Sequence, residues 1–146
     1  MKKSSMGIII VIALIVIVGL MLVSSYNSIV AKSEEVDNKY ATIDTYLQRR
    51  ADLIPNLVNT VKGYTKQEQD IINSITDARA KMVGTTSVSE KAEANDELTS
   101  ALSKLMVVVE NYPDLKSSQN FIQLSDELSG TENRIATARK DYNDAV

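Results

Sequence analysis

Residues 6–23 form an 18-residue run without one polar side chain, and 13 of its members are Ile, Leu or Val. No charge occurs from Ser4 to Ala31. As a helix the run spans about 27 Å, close to the ~30 Å hydrocarbon core of a bilayer. At roughly −0.3 to −0.6 kcal/mol per central Ile, Leu or Val, membrane insertion is favoured by about 4 to 8 kcal/mol. Lys2 and Lys3 precede the run, and the mixed Lys32, Glu34 and Glu35 follow it. The positive-inside rule then predicts a single-pass signal-anchor with a cytoplasmic N-terminus in the cell membrane and everything after Tyr26 extracytoplasmic. The chain divides accordingly into 1–25, a cytoplasmic tip with the anchor, and 26–146, one domain. A cleaved signal peptide is the competing reading. The run exceeds the usual apolar core of such peptides, and Val23-Ser24-Ser25 matches the small-residue cleavage pattern poorly.

Composition narrows what the remaining residues do. There is no Cys, His or Trp, which removes disulfides, thiol nucleophiles, His general bases and the common zinc sites. Gly (5) and Pro (2) are scarce and Phe occurs once, which favours helices over sheets. The net charge of −3 argues against nucleic acid as a partner.

Periodicity supplies four helices. Tyr26, Ile29, Val36, Tyr40, Ile43, Leu47 and Ile54 alternate three- and four-residue steps, with Ser33 and Arg50 at the two remaining seam positions. A second stripe runs Leu57, Val61, Tyr64, Ile71, Ile75, Ala78 and Met82, with Glu68 on its seam. Between them, Arg49 and Arg50 suit a helix end, Asp52 an N-cap and Pro55 a first turn, which predicts a tight turn. One continuous helix kinked at Pro55 is the alternative. The loop at Gly84 to Ser89 leads into a capping box, Ser87 with Glu90, and a third helix that stops at Tyr112-Pro113-Asp114. A fourth carries Phe121, Leu128, Ile135, Ala138 and Tyr142 and reaches Val146 without a stop signal, the pattern of a helix that continues further. The fold class is therefore all-α: a transmembrane helix followed by a long, coiled-coil-like up-down four-helix bundle, with the first two bundle helices separate or fused into one kinked helix.

Nothing in the sequence assembles a nucleophile–base pair, a phosphate loop or an EF-hand, so no catalytic, cofactor or metal residues are assigned. Two groups of residues stand out. If the first bundle turn lies at Pro55, then Arg50, Asp52, Pro55, Asn56, Tyr112, Pro113 and Asp114 converge on one membrane-distal apex as an interaction surface. Glu68, Glu132 and Arg139 are charges on apolar seams, and helix counting sets Glu68 and Glu132 at one level. They read as a structural polar seam, either snorkelling at an edge or fixing register as buried pairs.

The stretch Tyr46-Leu-Gln-Arg-Arg-Ala-Asp-Leu-Ile-Pro-Asn-Leu-Val-Asn-Thr-Val-Lys-Gly-Tyr64 resembles the signature of the LemA family of bacterial membrane proteins. Tyr26-Asn27, Tyr112-Pro113-Asp114-Leu115-Lys116, Thr131-Glu132-Asn133-Arg134-Ile135-Ala136 and Asp141-Tyr142-Asn143 match in the same order. The resemblance implies an N-terminal anchor, a bundle of long helices and a role in membrane organisation, with no catalytic residue to carry over. Gln67 stands where the family commonly has His. The leading expectation is a non-enzymatic, membrane-anchored scaffold that self-associates as a homo-oligomer or organises partners at the outer face of the cytoplasmic membrane. Its expected partners are the bilayer, further copies of itself and a membrane protein. The alternative is an adaptor presenting substrates or signals to a membrane protease or sensor kinase.

Overall fold

The computed structural model describes residues 2–146, with side chains from Met6 onward. It contains five helices: α1 Lys2–Tyr64, α2 Gln69–Gly84, α3 Val88–Val109, the single-turn α4 Pro113–Lys116 and α5 Gln119–Ala145. No strand occurs among the described residues. The all-α class and the helical bundle follow the sequence reading. The side chains of Lys2 and Lys3, on which the orientation argument rests, lie outside the described residues.

The 63 residues of α1 form one uninterrupted helix, about 95 Å long. Its first part is the apolar run, wholly outside the bundle, and it is the one helix among the described residues long and apolar enough to cross a membrane. Residues 24–39 form a largely exposed stalk. From Ile43 onward the same three- and four-residue stripe becomes core: Ile43, Leu47, Arg50, Ile54, Leu57 and Val61 are all buried. Ile29, on the same stripe, is exposed on the stalk, as is Tyr26, which just past the apolar run suits an interfacial anchor.

The turn expected at residues 49–55 does not form; one helix continues past Pro55, the continuity that the alternative reading offered. The physical reason lies on another helix. Proline has no N–H to give the carbonyl four residues back, here that of Ala51, and a buried carbonyl without a donor is costly. Arg79 of α2 supplies the replacement, its Nε donating to the Ala51 oxygen at 2.7 Å. Ala51 is 0% exposed, and its single methyl group is small enough to let a neighbouring helix come close.

The first break comes instead at residues 65–68. Thr65 closes the last turn by donating its N–H to Val61 O at 3.1 Å, and its hydroxyl accepts from the Gln67 N–H at 3.2 Å, a local turn that competes with continued helix. Lys62 in the last turn and Asp70 in the next helix's first turn match the two helix dipoles. The chain then reverses as α2. Ser87 caps α3, its hydroxyl accepting from the Glu90 N–H as the capping box predicts. The reciprocal half is remade, because the Glu90 carboxylate takes the Thr85 hydroxyl while the Ser87 N–H donates to Thr85 Oγ1. At the far end Pro113 occupies the first turn of α4, and Leu115 plugs the end of the core.

Topology is up-down-up-down, built as two pairs. α1 packs chiefly on α5, α2 chiefly on α3, and α1 joins the pairs through α2. The backbones of α3 and α5 stay apart, and the two helices meet through side chains such as Asp96 and Arg139.

Candidate functional site

Arg50 sits in the middle of the bundle with 2% of its surface exposed. It occupies a seam position on α1, so the helix drives a guanidinium into the core. A buried charge persists only if paired and hydrogen-bonded. Its Nη1 forms an ion pair with the Glu132 carboxylate of α5 and donates to Asn95 Oδ1 of α3. The same nitrogen reaches Thr99 Oγ1 at 3.0 Å. Thr99 Oγ1 in turn donates to the Asn95 carbonyl at 2.9 Å and lies 3.5 Å from Glu132 Oε1. Burial pulls the Arg50 pKa below its ordinary value while the charges of Glu132 and Asp96 oppose that pull, and a guanidinium stays charged through both. Nearby on the surface, Arg139, two turns beyond Glu132 on α5, pairs with Asp96 at 3.2 Å.

Two donors in this cluster lack acceptors: Arg50 Nε and Asn95 Nδ2. Asn95 is itself buried. Above the cluster, toward the membrane-distal end, a groove of about 320 Å³ opens between α3 and α5, floored by Arg50 and Leu57. Met106 is 47% exposed along this unclosed side.

These positions redistribute the residues singled out by sequence. Arg50 is not at the apex but central, paired with Glu132. Asp52 is exposed and accepts from Gln48 Nε2 at 2.9 Å within its own helix. Pro55 is exposed mid-helix, and Asn56 lines a shallow hollow with Asn120 and Gln123 of α5. Tyr112, Pro113 and Asp114 do lie at the α3–α4 junction, so an apex joining both proline motifs is not assembled. Glu68 and Glu132 do not share a level. Glu68 precedes α2 at the distal turn and accepts from the Tyr112 hydroxyl at 2.9 Å, tying two loops together. Glu132 lies at the height of Arg50, half-buried on α5, and Arg139 is a surface partner of Asp96.

Asn95 and Thr99 went unnoticed in the sequence. A signal was present, because Asn95 precedes Leu98, Leu102 and Leu105 at the same alternating spacing and is therefore a polar residue on a seam. At the lower end, Lys91 pairs with Asp44, and the Tyr40 and Tyr142 rings meet edge-on at 6.2 Å between centroids. No cluster of three or more metal-binding side chains occurs among the described residues.

A long apolar helix continuous with a four-helix bundle defines a membrane-associated helical protein. The LemA family profile matches residues 39–146, most of the chain, and the chain belongs to that family. It is 29% identical over 121 residues to Protein LemA of Metamycoplasma hominis, a match covering 80% of this chain and 54% of that protein. It is also similar to Magnetosome protein MamQ 2 of Paramagnetospirillum magneticum, at 28% identity over 151 residues covering 86% of this chain and 56% of the relative. Magnetosome protein MamQ of Magnetospirillum gryphiswaldense is 24% identical over 148 residues, covering 84% and 54%. The chain spans little more than half the length of these relatives.

Proposed function

We propose that this protein is a non-enzymatic, membrane-anchored scaffold that self-associates and organises partners at the outer face of the cytoplasmic membrane. The observation that carries the reading is the continuity of α1, which passes from the apolar run through the stalk into the core without a hinge. A bundle on such a shaft stands at one height and one orientation relative to the bilayer. The 16 residues 24–39 hold its base about 24 Å from the end of the span. Copies confined in one plane with parallel shafts meet at raised effective concentration, so weak lateral contacts suffice for large assemblies. The magnetosome proteins among its relatives are named for a cellular structure rather than for a reaction, which supports an organising role.

The test compares the full chain in nanodiscs large enough for several copies with a version beginning at Tyr26, by sedimentation and electron microscopy. Ordered multi-copy assemblies of the full chain, absent or weaker without the anchor, are expected. A full chain that stays monomeric until a membrane protease or kinase is added overturns the scaffold in favour of an adaptor.

A further inference from the structure

The outer face of the α1–α5 pair carries a pattern that the packing of one copy does not use. Tyr46, Arg49, Leu53 and Asn56 follow one another along α1 at three- and four-residue steps, and Asn120, Gln123, Glu127, Gly130 and Arg134 do the same along α5. The two rows line an upper hollow with Asn56, Asn120 and Gln123 and a lower one with Tyr46 and Arg134. Gly130 sits between the hollows, exposed in mid-helix, and a Cβ added there would meet nothing within 4 Å. Glycine weakens a helix relative to alanine, and nothing in the packing of one copy requires it here. Arg49 and Glu127 join the rows at 4.0 Å, the longest ion pair among the described residues, with side chains 56% and 39% exposed.

We infer that this face is the contact between two copies of the chain, paired in parallel about a two-fold axis along the bilayer normal; the inference rests on the self-association proposed above and names its surface. Copies anchored in one bilayer point the same way, so a closed pair has its axis along the normal and brings equal heights together. Turning the face about that axis sets α1 of one copy opposite α5 of the other. Arg49 then meets Glu127 of the second copy at the height where it meets its own. Because α1 and α5 are antiparallel, three residues down each from that pair reach one level, about 4.5 Å lower. Tyr46 there lies across from Gly130 of the second copy, where the missing side chain leaves room for the ring. Seven residues up each helix, about 10 Å higher, Asn56 faces Asn120 of the second copy, and amides donate and accept alike. Charge supports this choice of face. Across such an axis a like-charged cluster meets its own image, and the α2–α3 side sets Glu90, Glu93 and Glu97 in one hollow with Lys81 alone against them. From Thr42 to Thr60 the face is about 27 Å long and two helices, about 20 Å, wide, so a pair buries about 1,100 Å² in total. That is slightly below the ~1,200 Å² of small stable complexes, and confinement in one plane makes up the difference.

The chain has no cysteine, so introduced thiols report contacts cleanly. Two differently tagged full-length versions, Asn56→Cys and Asn120→Cys, are mixed in nanodiscs that hold several copies and treated with a short bifunctional maleimide. A band joining the two tags is expected, whereas Asn56→Cys mixed with Val107→Cys, at an exposed position of α3, is expected to give none. Gly130→Gln, added to both versions, is expected to raise the unfolding midpoint, since its side chain enters open space on a helix, and to lower the joined fraction about tenfold. Arg49→Glu lowers that fraction too, and Arg49→Glu combined with Glu127→Arg restores it. Assemblies that form without the joined band, an equal band with Val107→Cys, or a band undiminished by Gly130→Gln each overturn this interface and leave the scaffold standing. A full chain that never associates overturns both.

Discussion

The contact between Arg79 and the Ala51 carbonyl makes a quantitative test of why α1 survives a proline. In the native protein the Ala51 oxygen has lost its helical donor to Pro55 and regained one from Arg79 at 2.7 Å. A hydrogen bond from a charged donor contributes about 1.5–3 kcal/mol, and half-burial of Arg79 reduces that to about 1–2 kcal/mol. Arg79→Met keeps the packing of the stem and leaves a fully buried carbonyl without a donor. Its predicted cost is that ~1–2 kcal/mol, or a midpoint lowered by about 4–9 °C for a bundle of just over 100 residues. Pro55→Ala restores the N–H of residue 55 and with it the helical bond to Ala51. Against that background Arg79→Met is expected to cost about 0.5 kcal/mol or less, so the double-mutant cycle yields a coupling of ~1 kcal/mol between residues 55 and 79, carried by the Ala51 carbonyl. The assay is thermal unfolding of the four full-length proteins in one mild detergent, followed by far-ultraviolet circular dichroism. Equal cost of Arg79→Met in both backgrounds would refute the argument, since Arg79 would then be acting through something other than the proline's missing donor.

Three further outcomes follow from the ion pairs and the distal turn. Glu132→Leu strands the buried Arg50 charge and is expected to destabilise by about 3 kcal/mol, whereas Arg50→Met with Glu132→Leu recovers most of the loss; additive losses in a denaturant series would count against a coupled pair. The hydrogen bond to Asp44 raises the Lys91 pKa. Its stability is therefore complete below the unfolded lysine value of about 10.4 and disappears as pH rises through the higher folded value, so Lys91→Met should flatten the alkaline limb of a stability–pH curve and leave its slope between pH 7 and 9 unchanged. Tyr112→Phe removes the hydroxyl held by Glu68 and is expected to cost about 1 kcal/mol and to speed tryptic cleavage at Lys66; unchanged cleavage would show that the hydrogen bond does not secure the turn.

What the sequence disclosed and what it hid divide along a physical line. The apolar run, the stripe from Ile43 to Val61, the capping box at Ser87 and the stop at Tyr112-Pro113 are local features, fixed by spacing and backbone chemistry within a few residues. Pro55 was misjudged because local rules count the donor a proline lacks and cannot see the one Arg79 brings from another helix. The true break had no proline or glycine inside it. The spacing Tyr64, Glu68, Ile71 happens to carry the stripe across the loop, yet Tyr64 and Ile71 are only partly covered and Ile72 takes the core position after the break. Arg50 and Glu132 were each visible as a charge on a seam, but their meeting depends on which helix lies beside which. With the turn misplaced by some ten residues, Arg50 went to the tip and Glu68 to the middle, the reverse of where they are.

The central cluster acquires a purpose when the length of α1 is considered. The apolar stripe of α1 repeats every three to four residues, and a repeating stripe tolerates a slip of one turn against α5 with little loss of buried area. Arg50 removes that freedom. One turn in either direction sets its guanidinium against Leu128 or Ile135 in place of Glu132, and an uncompensated buried charge costs about 3–5 kcal/mol. Asn95 and Thr99 impose the same condition on α3. The polar cluster therefore trades some stability for a single register among three helices. In a bundle free in solution a slipped register would change only internal contacts. Here α1 is also the shaft of the span, so a slip would move the distal turn, with Glu68 and Tyr112, by about 5.4 Å relative to the bilayer. The proposed lateral array would need its contact surfaces at one height, and the Arg50–Glu132 pair, with the guanidinium buried, would hold them there.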